Sequence, residues 1–77
     1  MQLQIKYFGM LIEATNCTEE TLEFSGSTVD QLLSQLKEKY PHLKNMDFKV
    51  AVNKEIVGES VKIERSEIAL LPPFSGG

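Results

Sequence analysis

The sequence predicts a small α+β domain in which one main helix packs on a mixed β-sheet. Residues 2–8 alternate between polar and apolar side chains, as in a half-buried strand. Apolar residues from Val29 onward recur at gaps of three and four, as on one face of a helix. Residues 68–71 form an unbroken apolar run, which fits a strand buried on both faces within a sheet. At 77 residues, we expect one domain spanning 1–77.

The first two strands are expected to form a hairpin across residues 9–18. The second strand should occupy about Glu19–Phe24, with Leu22 and Phe24 inward. Because neighbouring side chains on a strand point to opposite faces, Glu19 and Glu20 cannot act there as a paired acid and base. The inward positions of the first strand are Leu3, Ile5 and Tyr7. Met10-Leu11-Ile12 fits equally a contact patch or a short helical turn that closes one end of the core.

The main helix has clear start and stop signals. Thr28 followed three residues later by Gln31 fits a capping box, with Ser27 as an alternative cap. Pro41 ends the helix after about 12 residues. Its apolar stripe consists of Val29, Leu32, Leu33, Leu36 and Tyr40.

The remaining elements complete a recognisable order. Residues 48–52 predict a strand, 53–55 a turn, 56–57 a short return, and 68–71 a final strand. Strand, strand, helix, strand, return and strand is the order of the β-grasp, or ubiquitin-like, fold. In that fold the final strand lies centrally, beside the first.

Composition excludes several classes of function. The net charge is −3 and the basic residues are scattered, so the stripe that would neutralise nucleic-acid phosphates is absent. No run approaches the roughly 20 apolar residues that span a bilayer. Cys17 is the single cysteine, which fits a reducing, cytoplasmic compartment. We expect Cys17 to be an inert surface thiol and His42 a surface residue, because neither has partners at catalytic or metal-ligand spacing.

The most informative segment is the tail that follows the last strand. Pro72 and Pro73 cannot donate to a ladder, so the strand must end there and the tail, residues 72–77, should leave the domain stiff and extended. Phe74 is apolar in an exposed tail, which favours an anchor in a partner's pocket over packing on its own sheet. Gly76 and Gly77 have no side chains and can enter a narrow channel.

Such a terminus suits carboxylate activation. A carboxylate is a poor electrophile until it becomes an acyl-adenylate, and a sulfur nucleophile can then replace the adenylate to give a thiocarboxylate. An unhindered glycine on a fixed arm presents the reacting atom at low entropic cost. Terminal Gly-Gly alone is a weak signal, and its position after a diproline and a buried strand strengthens it.

Residues 68–77, Ile-Ala-Leu-Leu-Pro-Pro-Phe-Ser-Gly-Gly, resemble the ending of molybdopterin synthase small subunits. Residues 5–9 and 50–53 are also similar to that family. The resemblance implies that Gly77 is adenylated by an E1-like enzyme that uses ATP and then becomes a thiocarboxylate. It implies that Leu71, Pro72, Pro73, Phe74, Ser75, Gly76 and Gly77 contact the large subunit of the synthase.

The same resemblance implies a heterotetramer of two small and two large subunits. Sulfur would pass to cyclic pyranopterin monophosphate, in the large subunit's active site, during molybdenum cofactor biosynthesis. The small subunit would be non-catalytic alone, with no metal or cofactor of its own. Three alternatives stay open: a sulfur carrier for thiamine or cysteine synthesis, a ubiquitin-like modifier of protein lysines, and a plain interaction domain.

Overall fold

A computed structural model describes residues 1–64 and 67–73 of the chain. Within them, five strands form one sheet in the order β2-β1-β5-β3-β4. The strands are β1 (Gln2–Tyr7), β2 (Glu19–Glu23), β3 (Lys49–Val52), β4 (Glu55–Val57) and β5 (Glu67–Leu71). The helices are α1 (Met10–Thr15), α2 (Val29–Lys39) and a 3-10 helix at Pro41–Asn45. None of these helices is both long and apolar enough to cross a membrane.

The pairing of the strands confirms the predicted α+β architecture. β1 and β2 form the antiparallel hairpin, with Leu3 opposite Leu22. β5 lies between β1 and β3, parallel to β1 and antiparallel to β3. The last strand therefore runs beside the first, as the β-grasp order predicts.

One face of the sheet packs on α2 and carries the core. Thr28 caps α2 through the predicted capping box with Gln31. The helix has 11 residues, because Tyr40 already lies outside helical geometry before Pro41. The most deeply buried side chains come from the inward strand positions and the helix stripe: Leu3, Ile5, Tyr7, Phe24, Val29, Leu32, Leu36, Ile68 and Leu70.

The expectation that β5 is buried on both faces is wrong. Ile68 and Leu70 are fully buried, whereas Ala69 and Leu71 are only partly buried. The reason is that α2 covers one face of the sheet, and no described element covers the other. Within the apolar run of β5, Ile68 and Leu70 therefore face the core, and Ala69 and Leu71 face the open side of the sheet.

The segment Met10-Leu11-Ile12 begins α1, one of its two predicted alternatives. Leu11 is fully buried in the core, while Met10 is 38% exposed. α1 ends at Asn16, which adopts the left-handed conformation at φ 62°. This short helix closes the core end between β1 and β2.

Candidate functional site

The terminal segment leaves the sheet at a fixed point beside the β1–α1 junction. The backbone N–H of Phe8 donates to the carbonyl of Leu70 at 3.2 Å. Gly9 follows at φ 57°, and a Cβ placed there would lie 2.8 Å from Cγ of Pro72. Because only a residue without a side chain tolerates both conditions, Gly9 lets Pro72 pack directly on the backbone.

The described residues include only the base of the predicted tail. Leu71, Pro72 and Pro73 are each partly buried at the end of β5. The predicted reacting terminus and anchor, Phe74, Ser75, Gly76 and Gly77, lie outside the described residues. The exit from a central strand is thus observed, and the terminal chemistry remains a prediction.

The uncovered face of the sheet holds a shallow groove of about 390 Å³ next to this exit. Its floor is formed by Ala51 and Ala69, which lie opposite each other on β3 and β5. Small side chains on the two central strands leave a hollow between larger neighbours. The groove is lined by Lys6, Phe8, Ala51, Lys54, Ile56, Glu67, Ala69 and Leu71.

The rim of the groove combines exposed apolar side chains with charges. Phe8 is 44% exposed and Ile56 57% exposed. Lys6 on β1 forms an ion pair with Glu67 on the adjacent strand β5, at 3.5 Å. Leu71 belongs to the same lining, so the groove is continuous with the tail.

A cluster of polar side chains surrounds Glu20, on the core side of β2. The hydroxyls of Tyr7 and Tyr40 each donate to Oε2 of Glu20 at 2.5 Å. Lys39 donates from Nζ to Oε1 at 2.7 Å. The two tyrosine rings meet edge to face, with centroids 6.1 Å apart.

The electrostatics of the Glu20 cluster stabilise one set of protonation states. Burial alone would raise the pKa of the Glu20 carboxyl, but hydrogen bonds from Lys39, Tyr40 and Tyr7 outweigh it and lower that pKa. Burial and the hydrogen bond to Glu20 raise the pKa of Tyr7 and of Tyr40 well above the ordinary value. The cluster is a carboxylate held by three donors, an arrangement that joins β1, β2 and the end of α2 rather than one poised for proton transfer.

Cys17 lies at the edge of this cluster and is partly buried, so its assignment to the surface is wrong. Its Sγ is 3.7 Å from Thr15 Oγ1 and 3.9 Å from both Glu20 Oε2 and Tyr40 OH. His42 is exposed, as predicted. Among residues 1–64 and 67–73, no three His, Cys, Asp or Glu side chains group as a metal site requires.

The sequence contains a signal for the Glu20 cluster and a signal for the groove, although neither feature was predicted. Glu20 is two residues before Leu22 on β2, so both side chains point to the core face of the strand. This spacing places the Glu20 carboxylate against the core. The groove forms because two small residues, Ala51 and Ala69, lie opposite each other on adjacent central strands. Neither signal shows which residues Glu20 or the two alanines contact, because strand register and the position of Tyr40 depend on the tertiary fold.

A mixed sheet packed on one helix, with its last strand central and running into a diproline, defines a β-grasp, ubiquitin-like protein. The ThiS family model matches residues 5–77, and the chain belongs to this family. The chain is similar to molybdopterin synthase sulfur carrier subunits. It is 34% identical to that of Caenorhabditis briggsae, covering 100% of this chain and 99% of the relative. It is 33% identical to that of Mycobacterium tuberculosis, with the same coverage.

Solved structures show the same fold. A putative molybdopterin converting factor, subunit 1, from Pyrococcus furiosus superposes with a TM-score of 0.88 at 21% identity, covering 95% of this chain and 98% of that one. Small archaeal modifier protein 1 of Methanosarcina acetivorans gives 0.81 at 29% identity, covering 99% and 96%. A chain from the complex of subunits 1 and 2 of Helicobacter pylori molybdopterin-converting factor gives 0.70 at 20% identity, covering 100% of both.

Proposed function

We propose that this chain is the sulfur-carrier subunit of a molybdopterin synthase and acts in the cytoplasm. The Gly77 carboxylate attacks the α-phosphorus of ATP on an E1-like activating enzyme and releases pyrophosphate. A sulfur nucleophile then displaces AMP and leaves a thiocarboxylate. The loaded terminus delivers sulfur to cyclic pyranopterin monophosphate in the active site of the large subunit.

The observation that carries this proposal is the exit of the terminal segment from β5. β5 is paired on both sides, with β1 and with β3, so its end is held firmly by the sheet. Pro72 then packs against Gly9. The two consecutive prolines fix their own φ angles, and Pro73 also restricts Pro72 to extended conformations. An arm that starts from a rigid base presents its terminus with less loss of entropy on binding.

The names of the relatives support the choice of pathway. The matched sulfur carrier subunits align along the whole of this chain and almost the whole of their own length. In the proposed assembly, two copies of this chain bind two large subunits. The tail, residues 72–77, enters the large subunit, and Leu71 at the end of β5 also contacts it. This chain supplies the sulfur-bearing terminus and needs no cofactor of its own.

A reconstitution tests the assignment of the acceptor. The chain in its thiocarboxylate form is mixed with the large subunit of molybdopterin synthase and cyclic pyranopterin monophosphate, and molybdopterin is quantified. We expect product in proportion to the loaded chain, and none from the carboxylate form or from a chain lacking Gly77. Loaded chain that retains its sulfur in the presence of an active large subunit would assign it to another acceptor, such as the thiamine or cysteine pathway.

A second candidate is a protein modifier, because the chain is 29% identical to small archaeal modifier protein 1 of Methanosarcina acetivorans over almost its full length. That function uses the same activated Gly77 with a lysine amine as nucleophile. Gly77 found in isopeptide linkage to cellular lysines would favour it. If deletion of Gly76 and Gly77 had no cellular effect, a plain interaction domain would remain.

A further inference from the structure

The turn between β3 and β4 carries a lysine in a backbone conformation that suits glycine. Asn53 has φ 50° and Lys54 has φ 72°. Two consecutive positive φ values are those of a tight hairpin turn in which the second position strongly favours glycine. A side chain in the left-handed region is strained, because its Cβ lies too close to the following carbonyl oxygen. The chain therefore retains Lys54 where glycine would serve the fold better.

The turn is held rigidly against the first residue of β5. The N–H of Asn53 donates to the Glu67 carbonyl at 2.9 Å. The Glu67 N–H donates to Oδ1 of Asn53 at 3.1 Å. Lys54 thus projects from a fixed point on the groove rim.

Charge on the groove differs in sign from the charge of the whole chain. Lys6 is paired with Glu67, while Lys54 forms an ion pair with no carboxylate among residues 1–64 and 67–73. On the wider face of the sheet, Lys49, in register with Leu71, adds a third cation. Glu19 and Glu23, which share one face of β2, add two further carboxylates. The groove lining alone, with two lysines and one glutamate, is positive on a chain of net charge −3, while the charges on the wider face balance.

We propose that Lys54 is a specificity-determining residue for the protein that receives the terminal segment, and that it pairs with a carboxylate on that protein. This inference rests on the proposed function, because it takes that protein to be the large subunit. Leu71 lines the groove and begins the segment proposed to contact the large subunit, so a partner that binds Leu71 also reaches this end of the groove. Its apolar side chains fill the hollow beside Phe8 and Ile56, while its carboxylate meets Lys54 at the far end.

The polarity of the groove explains how one face selects a partner. Phe8 and Leu71, which line the groove beside the tail, supply apolar contact area, which is not selective by itself. A fixed positive charge at the opposite end disfavours partners that present a cation there, since like charges repel each other strongly in an interface. The strained turn keeps that charge in place, and strain retained in this way is typical of functional positions.

The test measures affinity for the large subunit and fold stability together. Wild type, Lys54→Gly, Lys54→Gln and Lys54→Glu are titrated against the large subunit of molybdopterin synthase at low and high salt. We expect Lys54→Glu to weaken binding about tenfold or more at low salt and Lys54→Gln several-fold, with both differences shrinking near 1 M salt. Lys54→Gly should bind more weakly than wild type while its thermal midpoint rises. Lys44→Glu, on the 3-10 helix, is the matched control and should bind normally.

The outcomes separate this inference from the proposed function. If removal of Gly77 or the tail weakens binding but all three Lys54 variants bind as wild type, the inference fails and the proposed function stands. If the wild-type chain does not bind an active large subunit, both fail. If Ile56→Asp dissociates a dimer of the free chain, the face pairs two copies, and the inference is also overturned.

Discussion

Glu20 is the residue whose environment departs most from that of a surface carboxylate. It accepts hydrogen bonds from two tyrosines and a lysine that come from different elements. Tyr7 on β1 lies opposite Leu70 of β5, the residue whose carbonyl accepts the Phe8 N–H next to the tail exit. The Glu20 cluster therefore holds β2 and the end of α2 to the strand that borders the tail.

Replacement of this carboxylate should change the pH dependence of stability. The pKa of Glu20 is lowered in the folded chain, so the stability that it contributes is present above its unfolded pKa of about 4.3 and is lost as pH falls through the lower folded value. Glu20→Gln should cost about 1–3 kcal/mol at pH 7 and flatten the loss of stability below about pH 4.3. Urea denaturation from pH 3 to pH 8 measures both. Glu19→Gln, on an exposed neighbour, should reproduce the wild-type profile.

The tyrosines predict a matching effect at alkaline pH. Tyr7 and Tyr40 have raised pKa values in the folded chain. The stability that they contribute is therefore fully present below the ordinary tyrosine pKa of about 10 and is lost as pH rises beyond it. Tyr40→Phe should make the folded chain less stable at pH 7 and weaken this alkaline loss. A steeper alkaline loss in Tyr40→Phe would contradict the arrangement of the cluster.

Gly9 offers a second residue-level test, since its conformation and its contact with Pro72 both exclude a side chain. Gly9→Val should destabilise the fold by about 1–3 kcal/mol, because a β-branched residue is strained at positive φ. It should also slow activation of the tail at a fixed concentration of activating enzyme. Gly58→Val is the control, because no atom lies within 4 Å of a Cβ placed there. Equal losses from the two substitutions would show that Gly9 has no special role at the exit.

At the level of elements, α2 was the easiest to predict. Its start depends on two local side chains, Thr28 and Gln31, and its stripe on a fixed spacing. The burial of β5 was harder to predict, because an unbroken apolar run does not show whether a second layer covers the sheet. Only the tertiary arrangement reveals that α2 leaves the Ala51–Ala69 face open.

The capping box gives the element-level prediction. The Gln31 N–H donates to Thr28 Oγ1 at 3.4 Å, and the Thr28 N–H donates to Gln31 Oε1 at 3.2 Å. Thr28→Ala should lower the free energy of unfolding by about 1 kcal/mol. Chemical denaturation measures it. Ser34→Ala, at an exposed position within the same helix, should leave stability unchanged or slightly higher, because alanine favours helix.

At the scale of the whole molecule, the strand order connects the two ends of the chain. The N-terminal strand and the last strand lie side by side, so the β1–α1 junction supports the tail and the open face extends from it. The order of elements and the end of β5 before Pro72 could be predicted from sequence because both depend on local patterns. The groove and the Glu20 cluster could not, because they join residues from strands whose register only the folded sheet sets.

The central claim is that sulfur is carried on the Gly77 carboxylate. The most direct test is the intact mass of the chain after incubation with ATP, an E1-like activating enzyme and a sulfur source. We expect a gain equal to the replacement of one oxygen by sulfur, absent when Gly77 is deleted or ATP is omitted. An unchanged mass, with the activating enzyme proven on another carrier, would contradict the account.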